Sequence, residues 1–459
     1  MSSRWLKRIA LVCMTPEVDT QEHAREELPS YGIHRIQAAI VANPEFADAE
    51  VRIFDLGAAD SESYVRELLS FQPQLIGYSL FVWSTDCLVD VARSIREKLA
   101  TAVQVFGGPS ARSALLDLKP YSPAWRYADA LVIRDGEEAF NQMAMFLDQL
   151  QDRSKAIKAF EAIQGVEIPT PIGWYRTPPR VGHGSMDHLP SPYQMGLMRY
   201  GAFGYIETFR GCPMSCRFCE WGMMDISQGC FSEDYLTREL EALAGFDPQA
   251  VFDVDSGLNL NAHAFRNLAN AEKKVGILKK TGLWCEIYPS KIKPEHLEFL
   301  DACGPTYLGV GLQSIQPSVL SNQSRPFGKE NVENAIHQLK GIVESVEIQI
   351  IFGLPTDTPA GFLETLAFAR SQGVGVRVYH CLVLPDALLT RGKPEWCMEF
   401  CPKTLSMHSC LGWTQSDILQ MREYLGQETR KCGGKAGQFW WSFPNPNRQS
   451  DSLASGFAI

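Results

Sequence analysis

Three cysteines stand close together near the middle of the chain: Cys212, Cys216 and Cys219, in the spacing C-x3-C-x2-C. Three thiolates this close can bind three corners of a four-iron cluster, whereas a cluster that only carries electrons takes four cysteines. No fourth cysteine follows at short range, so one iron would stay open for another ligand. The spacing therefore predicts a cluster that performs chemistry on whatever binds its open iron.

Two other metal sites compete with this interpretation. A structural zinc site would need a fourth protein ligand at a typical spacing; Glu220 adjoins the triplet, but no Cys or His pair lies nearby. Near the end of the chain, Cys397, Cys401 and Cys410 could hold a second cluster or a soft metal ion. Free cysteines are also common buried residues, and these three lack the glycine-rich flanks of cluster-binding loops. We therefore expect one cluster, bound by the central triplet.

Length and composition indicate a soluble globular protein of two or three domains. The 459 residues are 45% apolar and 21% charged, and the formal net charge is −10. That balance disfavours a general nucleic-acid binder, which usually carries a basic surface. The thirteen cysteines show no disulfide-type pattern, which favours a reducing compartment and hence a cytoplasmic protein. The apolar run 9–14 is too short for a signal peptide or a membrane span, and we expect a strand there.

The first 150 residues alternate apolar, β-rich runs with amphipathic stretches, a pattern typical of an α/β, Rossmann-like domain with a parallel sheet. The expected strands are 9–14, 51–55, 75–81, 103–106 and 130–133. Gly107 and Gly108 follow the fourth strand, and ligands of such folds bind at the carboxyl ends of strands. A glycine pair also makes a plain tight turn, which is its commoner use. Residues 151–200 contain six prolines and are expected to be a linker between domains.

A second alternation occupies residues 201–395, with expected strands at 204–209, 250–253, 283–287, 307–311, 347–351 and 376–383. Six β/α repeats favour a partial (β/α)6 barrel, whose active site would gather where strands pass into loops. The cysteine triplet comes directly after the first of these strands, which is that position. Residues 396–459 are less regular and are expected to form a short C-terminal extension.

The stretch 210–219, Arg-Gly-Cys-x3-Cys-x-Phe-Cys, at the start of six β/α repeats resembles the radical S-adenosylmethionine (SAM) superfamily. The resemblance implies that the three cysteines bind a 4Fe-4S cluster and that SAM chelates the open iron through its amino and carboxylate groups. It also implies that an electron from a flavodoxin- or ferredoxin-type reductant cleaves SAM, normally into methionine and a 5′-deoxyadenosyl radical. The expected partners are that reductant and a small-molecule substrate, with no membrane and no nucleic acid.

The same resemblance marks residues that would bind SAM. Phe218 resembles the aromatic residue whose backbone lies near the adenine, and Asp255 begins an Asp-x-x-x-Asn pattern. The remaining candidates follow later strands: Glu286, Gln313, Ser314, Gly353, Leu354, Pro355 and Leu384. Each of these segments could equally be a plain turn at a strand end.

The first domain resembles the cobalamin-binding domain of one class of radical SAM proteins, through the segments 29–33, 77–83, 107–109, 135–138 and 187–193. By that resemblance Trp83, Gly107 and Gly108 would face the corrin. Some cobalamin proteins carry Asp-x-His-x-x-Gly after the first strand, and the His binds cobalt. The corresponding loop, residues 15–23, lacks that pattern, as do many radical SAM cobalamin enzymes. The sequence therefore leaves open whether cobalamin binds.

Three reactions remain open. In the first, cobalamin passes a methyl group to an unactivated carbon of a small-molecule or natural-product intermediate. In the second, the first domain is only a scaffold, and the radical drives dehydration or epimerisation of a sugar or other small molecule. Tyr379 and His380 on the sixth strand are then candidate catalytic residues, although a core tyrosine and a surface histidine are the plainer interpretations. In the third, the cluster is an electron relay or sensor, which the open iron and the half-barrel disfavour.

Overall fold

The computed structural model describes residues 4–15, 29–57, 60–182, 184–198, 203–223, 229–326 and 328–446. They form two seven-stranded sheets with accompanying helices, which confirms the expected α/β class. Most of the loop 15–23, whose sequence lacks the cobalt-binding histidine pattern, lies outside the described residues. None of the helices in the described ranges combines the length and the apolar character needed to cross a bilayer.

The first sheet contains seven strands: β1 (Arg8–Cys13), β2 (Glu50–Asp55), β3 (Leu75–Ser79), β4 (Val103–Gly107), β5 (Ala130–Val132), β6 (Val166–Thr170) and β7 (Gly173–Arg176). Their order is β2-β1-β3-β4-β5-β6-β7. The first five run parallel, and β6 and β7 form an antiparallel hairpin at the edge. The accompanying helices are α1 (Tyr31–Val41), α2 (Ser61–Phe71), α3 (Thr85–Lys98), α4 (Ser113–Leu116), α5 (Glu137–Leu150) and α6 (Arg153–Ala159).

Helices cover both faces of the parallel strands. Side chains of α2, α3 and α4 pack into one core cluster, and side chains of α1, α5 and α6 pack into another. A strand with two covered faces needs apolar residues at every position, and β1 is buried at all but its first residue. All five strands expected in this domain are therefore present, with ends within two residues of the expected ones.

The segment expected to be a linker holds regular structure in its first part. Helix α6 and the hairpin β6–β7 lie there, and the hairpin extends the first sheet. Pro169 is tolerated within β6 because it lies beyond the end of β5, which pairs only with Val166 and Glu167. The prolines of this segment therefore do not exclude strands, because an edge hairpin can hold a proline where no hydrogen bond between strands is lost.

The second domain begins with β8 (Gly204–Ile206), the short ribbon β9 (Phe209–Arg210) and β10 (Gly229–Cys230), β11 (Val251–Asp253), β12 (Leu283–Glu286), β13 (Thr306–Gln313), β14 (Ser345–Phe352) and β15 (Gly375–His380). A second ribbon, β16 (Glu399–Phe400) and β17 (Met407–Ser409), and β18 (Trp440–Phe443) follow. Its helices are α7 (Glu233–Phe246), α8 (Ala262–Val275), α9 (Ile277–Thr281), α10 (Pro294–Ala302), α11 (Pro317–Asn322), α12 (Lys329–Leu339), α13 (Pro359–Ser371) and α14 (Gln415–Lys431).

The large sheet of this domain has the order β18-β15-β14-β13-β12-β11-β8. The six strands expected for a partial barrel are parallel neighbours, and β18 adds to β15 in the antiparallel direction. The aromatic patch at Trp440 and Trp441 is thus an edge strand rather than part of an irregular extension. Antiparallel addition needs no crossover helix, which explains why the β/α pattern did not include it.

Strand β14 shows how the barrel wall is built. Its buried positions alternate with partly exposed ones, because successive side chains of a strand point to opposite faces. Phe352 packs against Phe362 of α13 on the helix-covered face. Glu347 and Gln349 lie on the opposite face, here called the inner face. There Glu347 binds Arg377 of the neighbouring strand β15, and Gln349 reaches across β13 to Glu286 of β12.

Gly282, next to β12, packs closely against the start of β13, and Gly276 offers a comparison. Gly282 and Gly276 have nearly the same left-handed φ, +74° and +75°. A Cβ on Gly282 would overlap the carbonyl oxygen of Pro305, whereas a Cβ on Gly276 would meet nothing within 4 Å.

We expect Gly276→Ala to cost about 1 kcal/mol of unfolding free energy, because L residues are strained in the left-handed region. Gly282→Ala should cost about 2 kcal/mol more, because the backbone must move as well. Urea unfolding of the two variants measures the difference. Equal losses would mean that the β12–β13 junction is looser than described.

Candidate active site

The cysteine triplet lies in the loop that follows β9. Cys216 is buried, and Cys212 and Cys219 are partly buried. Burial raises the pKa of the Cys219 thiol to about 12, with a further rise from the neighbouring Cys216, and burial also raises the pKa of Cys212. Because metals bind thiolates, loading this site must release protons.

The backbone of this loop is held by Arg391, which lies after β15. Its guanidinium donates to the carbonyl oxygens of Ser215 at 3.3 Å, Cys216 at 2.9 Å and Cys219 at 2.5 Å. In return, Arg217 of the loop donates to the carbonyl oxygen of Arg391 at 3.1 Å. These bonds fix the loop through its backbone, so the three sulfurs are not needed to hold its shape.

The base of the loop is fixed by the segment after β11. Asp255 accepts hydrogen bonds from the backbone N–H groups of Thr208 at 2.9 Å and Phe209 at 3.2 Å, and from the Thr208 hydroxyl. The Ser256 hydroxyl donates to the carbonyl oxygen of Gly211 at 2.7 Å. Asp255 is predicted to contact SAM. In the structure both of its carboxylate oxygens accept hydrogen bonds from the segment between β8 and β9, so its side chain positions the base of the loop.

Three cysteines could serve a cluster or a single ion, and the two sites need different ligand separations. In a cluster, each cysteine binds a different iron, so the ligands of a cluster stand farther apart than the ligands of one ion. Within the described residues, no three His, Cys, Asp or Glu side chains converge on one point as the ligands of a single ion would. Of the C-terminal cysteines, Cys397 is exposed, Cys401 is partly buried and Cys410 is buried.

A cation lies beside the triplet. Arg325 points one nitrogen at the Cys216 sulfur, 3.7 Å away, and binds the carbonyl oxygen of Gly311 with another. Its guanidinium stacks over the rings of Tyr288 at 5.2 Å and Phe218 at 5.9 Å. Arg325 therefore links the predicted adenine neighbour Phe218 to Gly311 of β13.

Two of the predicted SAM residues approach the glycines of β13. A Cβ on Gly309 would overlap Glu286, whose carboxylate accepts from Gln349 at 2.6 Å. Solvent reaches Glu286 from the inner face, yet the protein around it desolvates the carboxylate and raises its pKa. The Gln313 side chain lies over Gly311, and its buried amide oxygen has no hydrogen-bond partner among the described residues. An unpaired buried oxygen is costly, so Gln313 fits a site that a ligand completes.

Other predicted SAM residues have partners within the protein. The buried Ser314 hydroxyl accepts from the backbone of Gln316 at 3.1 Å. Residues 353–355 are buried; the Gly353 carbonyl accepts from the Cys410 thiol at 3.5 Å, and the Pro355 carbonyl accepts from Gln323 at 3.3 Å. These side chains and carbonyls shape the top of the barrel, and a role against SAM stays a prediction.

Two glycines, Gly107 and Gly108, stand at the end of β4, and this part of the first domain is here called the glycine edge. A Cβ on Gly107 would meet nothing within 4 Å, whereas one on Gly108 would come within 2.6 Å of a backbone oxygen. Trp83 stands at the same edge of the sheet, stacked on Phe81 at 4.6 Å and donating to the carbonyl oxygen of Met14 at 2.9 Å. The space around a Cβ at Gly107 is free of protein atoms to 4 Å, which leaves the backbone there open to approach.

The two domains meet between this edge and the cysteine loop. Arg112, just after the glycine turn, binds Asp386 of the second domain at 2.5 Å, and the Asp386 N–H lies 3.5 Å from Glu220. Glu220 directly follows Cys219, and burial raises its pKa to about 7. Leu384 packs against the core of the first domain, so this residue contributes to domain contact.

Tyr379 and His380 lie on opposite faces of β15. Tyr379 pairs with Ile351 and lies on the inner face near Arg377, and burial raises its pKa. His380 stacks on Phe352 at 4.6 Å on the helix-covered face and is buried. Adjacent residues of a strand point to opposite faces, so the structure places Tyr379 on the inner face and His380 away from it, and a catalytic role for either stays a prediction.

Sequence reasoning missed the residues that hold the site together. Arg391, Arg325 and the Arg112–Asp386 pair act over long separations along the chain. A single sequence carries no sign of such pairings. The one usable signal was the alternation of polar and apolar residues in β14, which marks an inner face.

Comparison with known proteins finds a family match in the second domain. Residues 206–369 match the Radical SAM superfamily. The chain is 26% identical over 337 residues to the 2-(S-pantetheinyl)-carbapenam-3-carboxylate methyltransferase of Streptantibioticus cattleyicolor, covering 69% of this chain and 48% of that protein. It is 25% identical over 341 residues to the cobalamin-dependent radical SAM methyltransferase TokK of Streptomyces tokunonensis, with the same two shares, 69% and 48%. The chain thus spans about half the length of the curated relatives it matches.

Among solved structures, the fold is similar to that of the radical S-adenosylmethionine methyltransferase TsrM from Kitasatospora setae. With tryptophan and a SAM analogue bound, TsrM aligns with a TM-score of 0.65 and 17% identity, over 83% of this chain and 75% of TsrM. With cobalamin and a 4Fe-4S cluster bound, it aligns with a TM-score of 0.64 and 17% identity, over 87% and 81%. Because the alignment includes both domains, the likeness extends to the whole fold.

We expect Cys216→Ala to lose most of the iron that the wild type takes up in anaerobic reconstitution, about four per chain for one cluster. SAM cleavage should be lost with it. The control is Cys397→Ala, which removes an exposed thiol far along the chain. Iron analysis and 5′-deoxyadenosine release measure the two effects. Near-wild-type release from Cys216→Ala would contradict the cluster assignment.

The buried His380 predicts a pH effect on stability. Burial lowers its pKa from 6.5 to about 3, and Arg422 donates to Nδ1 at 2.8 Å while Nε2 meets the Met407 carbonyl at 2.9 Å. Only the neutral ring with a proton on Nε2 satisfies both contacts. Because the folded pKa lies below the unfolded one, this stabilisation is complete above pH 6.5 and is lost as the pH falls toward 3.

Between pH 7.5 and 5, we expect this histidine to remove about 2 kcal/mol of unfolding free energy. His380→Phe keeps a ring against Phe352 but cannot titrate. Between pH 7.5 and 5, its unfolding free energy should therefore fall by about 2 kcal/mol less than that of the wild type. Denaturant unfolding at both pH values measures it. Parallel pH profiles for the two proteins would show that His380 titrates normally in the fold.

Proposed function

We propose that this chain, whose residues 206–369 match the Radical SAM superfamily, is a cobalamin-dependent methyltransferase that acts on an unactivated carbon of a small-molecule, natural-product intermediate. Two relatives are methyltransferases by name, and one of them is named as cobalamin-dependent. The observation that carries the proposal is the link through Asp386, which binds Arg112 next to the glycine edge and approaches Glu220 next to the cysteine triplet.

That contact brings two binding edges together. Arg112 lies four residues after Gly108 and binds Asp386. The backbone nitrogen of Asp386 is 3.5 Å from the carboxylate of Glu220, the residue after Cys219. A ligand above Gly107 and a ligand at the cysteines would therefore share one cleft. Methyl transfer between two cofactors requires such proximity, because bonded partners must come within contact distance. A dehydratase or an epimerase with a vestigial first domain would not.

The residues that would hold each group are distinct. Cys212, Cys216 and Cys219 would bind the 4Fe-4S cluster, and Phe218, Glu286 and Gln313 stand where SAM would reach it. Gly107, Gly108 and Trp83 would hold cobalamin. Bound there, the cluster and SAM supply one-electron chemistry and cobalamin supplies methyl-group transfer. The protein's part is to bind, orient and shield these groups.

The inner face of the barrel supplies polar groups for a substrate. Arg377 forms a two-pronged pair with Glu347, at 2.8 and 2.9 Å, and stacks on Trp440 at 4.9 Å. Tyr379 lies next to them and keeps its phenolic proton at neutral pH, because burial raises its pKa. We infer that Tyr379 donates a hydrogen bond to the substrate and holds its proton there.

The electron for this chemistry must come from outside the chain. We infer a flavodoxin- or ferredoxin-type reductant, because one-electron chemistry at a low-potential cluster requires a protein of that class. All thirteen cysteines are free thiols, which suits a reducing compartment such as the cytoplasm.

Metal content and product analysis test the proposal together. Expressed with cobalamin supplied and handled anaerobically, the protein should bind about one cobalt and about four irons per chain, and it should release 5′-deoxyadenosine from SAM. Iron and 5′-deoxyadenosine without cobalt would favour dehydration or epimerisation. Iron without any SAM cleavage would favour an electron relay.

A variant at the glycine edge separates the two cofactor sites. Gly107→Leu fills space that is empty of protein atoms, so the variant should fold, bind iron and cleave SAM, but lose about tenfold or more in cobalamin affinity through steric exclusion. Gly245→Leu in α7, also with nothing within 4 Å of its Cβ, is the control. Unchanged cobalt binding by Gly107→Leu would place cobalamin elsewhere.

A further inference from the structure

Five charged residues form one buried cluster between the domains, here called the interdomain hub. Arg35, Asp135 and Glu137 come from the first domain, and Glu207 and Arg210 from the second. Arg210 stands two residues before Cys212. We propose that the hub is a positioning device that sets the distance and angle between the cysteine loop and the glycine edge, an inference that rests on the proposed function.

Arg210 makes the central contacts of the hub. Its guanidinium donates to both carboxylate oxygens of Glu137, at 2.6 and 3.1 Å, across the domain boundary. The same group binds Glu207 at 2.8 and 3.1 Å and Asp135 at 3.2 Å. A two-pronged pair between planar groups fixes an angle as well as a distance. The domains are thus held in one relative orientation at this point.

Arg35 makes the reciprocal contacts from the other side. It is 2% exposed and extends from α1 of the first domain into the second, where its guanidinium donates to the Tyr235 hydroxyl at 3.2 Å and stacks on Phe231 at 5.3 Å. It also lies 3.6 Å from Glu137 and 3.9 Å from Glu207. Each arginine therefore contacts both domains.

The two arginines of the hub keep Glu137 ionised in the folded protein. Burial alone would raise the pKa of Glu137, but Arg210 and then Arg35 outweigh it and hold the pKa well below its usual range. Burial raises the pKa of Asp135. Desolvating five charges is expensive, and apolar residues often stabilise such a junction as well. A buried ionic cluster is better explained by the single geometry that it imposes.

The cysteine loop does not need the hub for its own shape. Arg391 holds its backbone, Ser256 holds the Gly211 carbonyl, and Asp255 holds the end of β8, all within the second domain. The hub adds only the link to the first domain. Weakening it should therefore spare chemistry that occurs within the second domain and impair transfer between the domains.

The test compares two reactions of the same loaded protein. SAM cleavage to 5′-deoxyadenosine uses only the cysteine loop and SAM, whereas methylation of bound cobalamin by SAM requires both domains. In Glu137→Gln, which keeps size but removes charge, we expect cobalamin methylation to fall about tenfold or more, since small misplacements slow transfer steeply. SAM cleavage should stay within about twofold.

Two further variants control for lost stability. Asp135→Asn weakens a single hub contact and should give a smaller change in the same direction. Asp86→Asn breaks the exposed interdomain pair with Lys403, at 2.9 Å, and should leave both reactions unchanged. Hydrogen exchange of the protein without cofactors gives an independent readout: in Glu137→Gln, the amides of α1 should exchange faster, and those of β14 should not.

Each outcome decides the matter. Equal loss of both reactions would make the hub a general stabiliser, and no loss of methylation would make it irrelevant to geometry; either overturns the proposal. If the wild type binds no cobalamin, that result contradicts the proposed function. In that case hydrogen exchange tests the hub by itself: unchanged amide exchange of α1 in Glu137→Gln would contradict its positioning role.

Discussion

The two-pronged contact between Arg210 and Glu137 joins the two domains beside the loop where the cluster would bind. It links the start of α5, just after β5, to the strand that leads into the cysteines. The Arg112–Asp386 pair makes a second contact between the domains. Together the two contacts join the first domain, close to Gly107 and Gly108, to the segments that flank the cysteine loop. The proposed chemistry depends on that junction more than on any single side chain.

Within each domain, ordinary packing provides the rigidity that this arrangement needs. The parallel strands of the first sheet are covered on both faces, and the barrel strands bury one face against helices and leave the other polar. The cysteine loop is then fixed by backbone contacts from Arg391 and Ser256. A rigid support of this kind lets a few polar contacts at the boundary determine where two cofactors stand relative to one another.

Much of the fold follows from the sequence because strands and helices are local patterns. Every expected strand is present, and the cysteine spacing alone located the site. Two features could not be placed from local patterns: some prolines of residues 151–200 lie in an edge hairpin, and the alternation of a strand puts His380 and Tyr379 on opposite faces of β15. Arg325, Arg391 and Arg210 could not be found this way, because their partners are distant in sequence and only folding brings them together.

The central claim is that a cobalt cofactor at the glycine edge and a cluster at the cysteines occupy one cleft. Electron paramagnetic resonance of the protein loaded with cob(II)alamin and a reduced cluster tests it most directly, because spin–spin coupling requires proximity. We expect signals that are split or broadened by mutual coupling, and we expect this coupling to disappear when Cys216→Ala removes the cluster. Two independent, uncoupled signals from a fully loaded protein would contradict it.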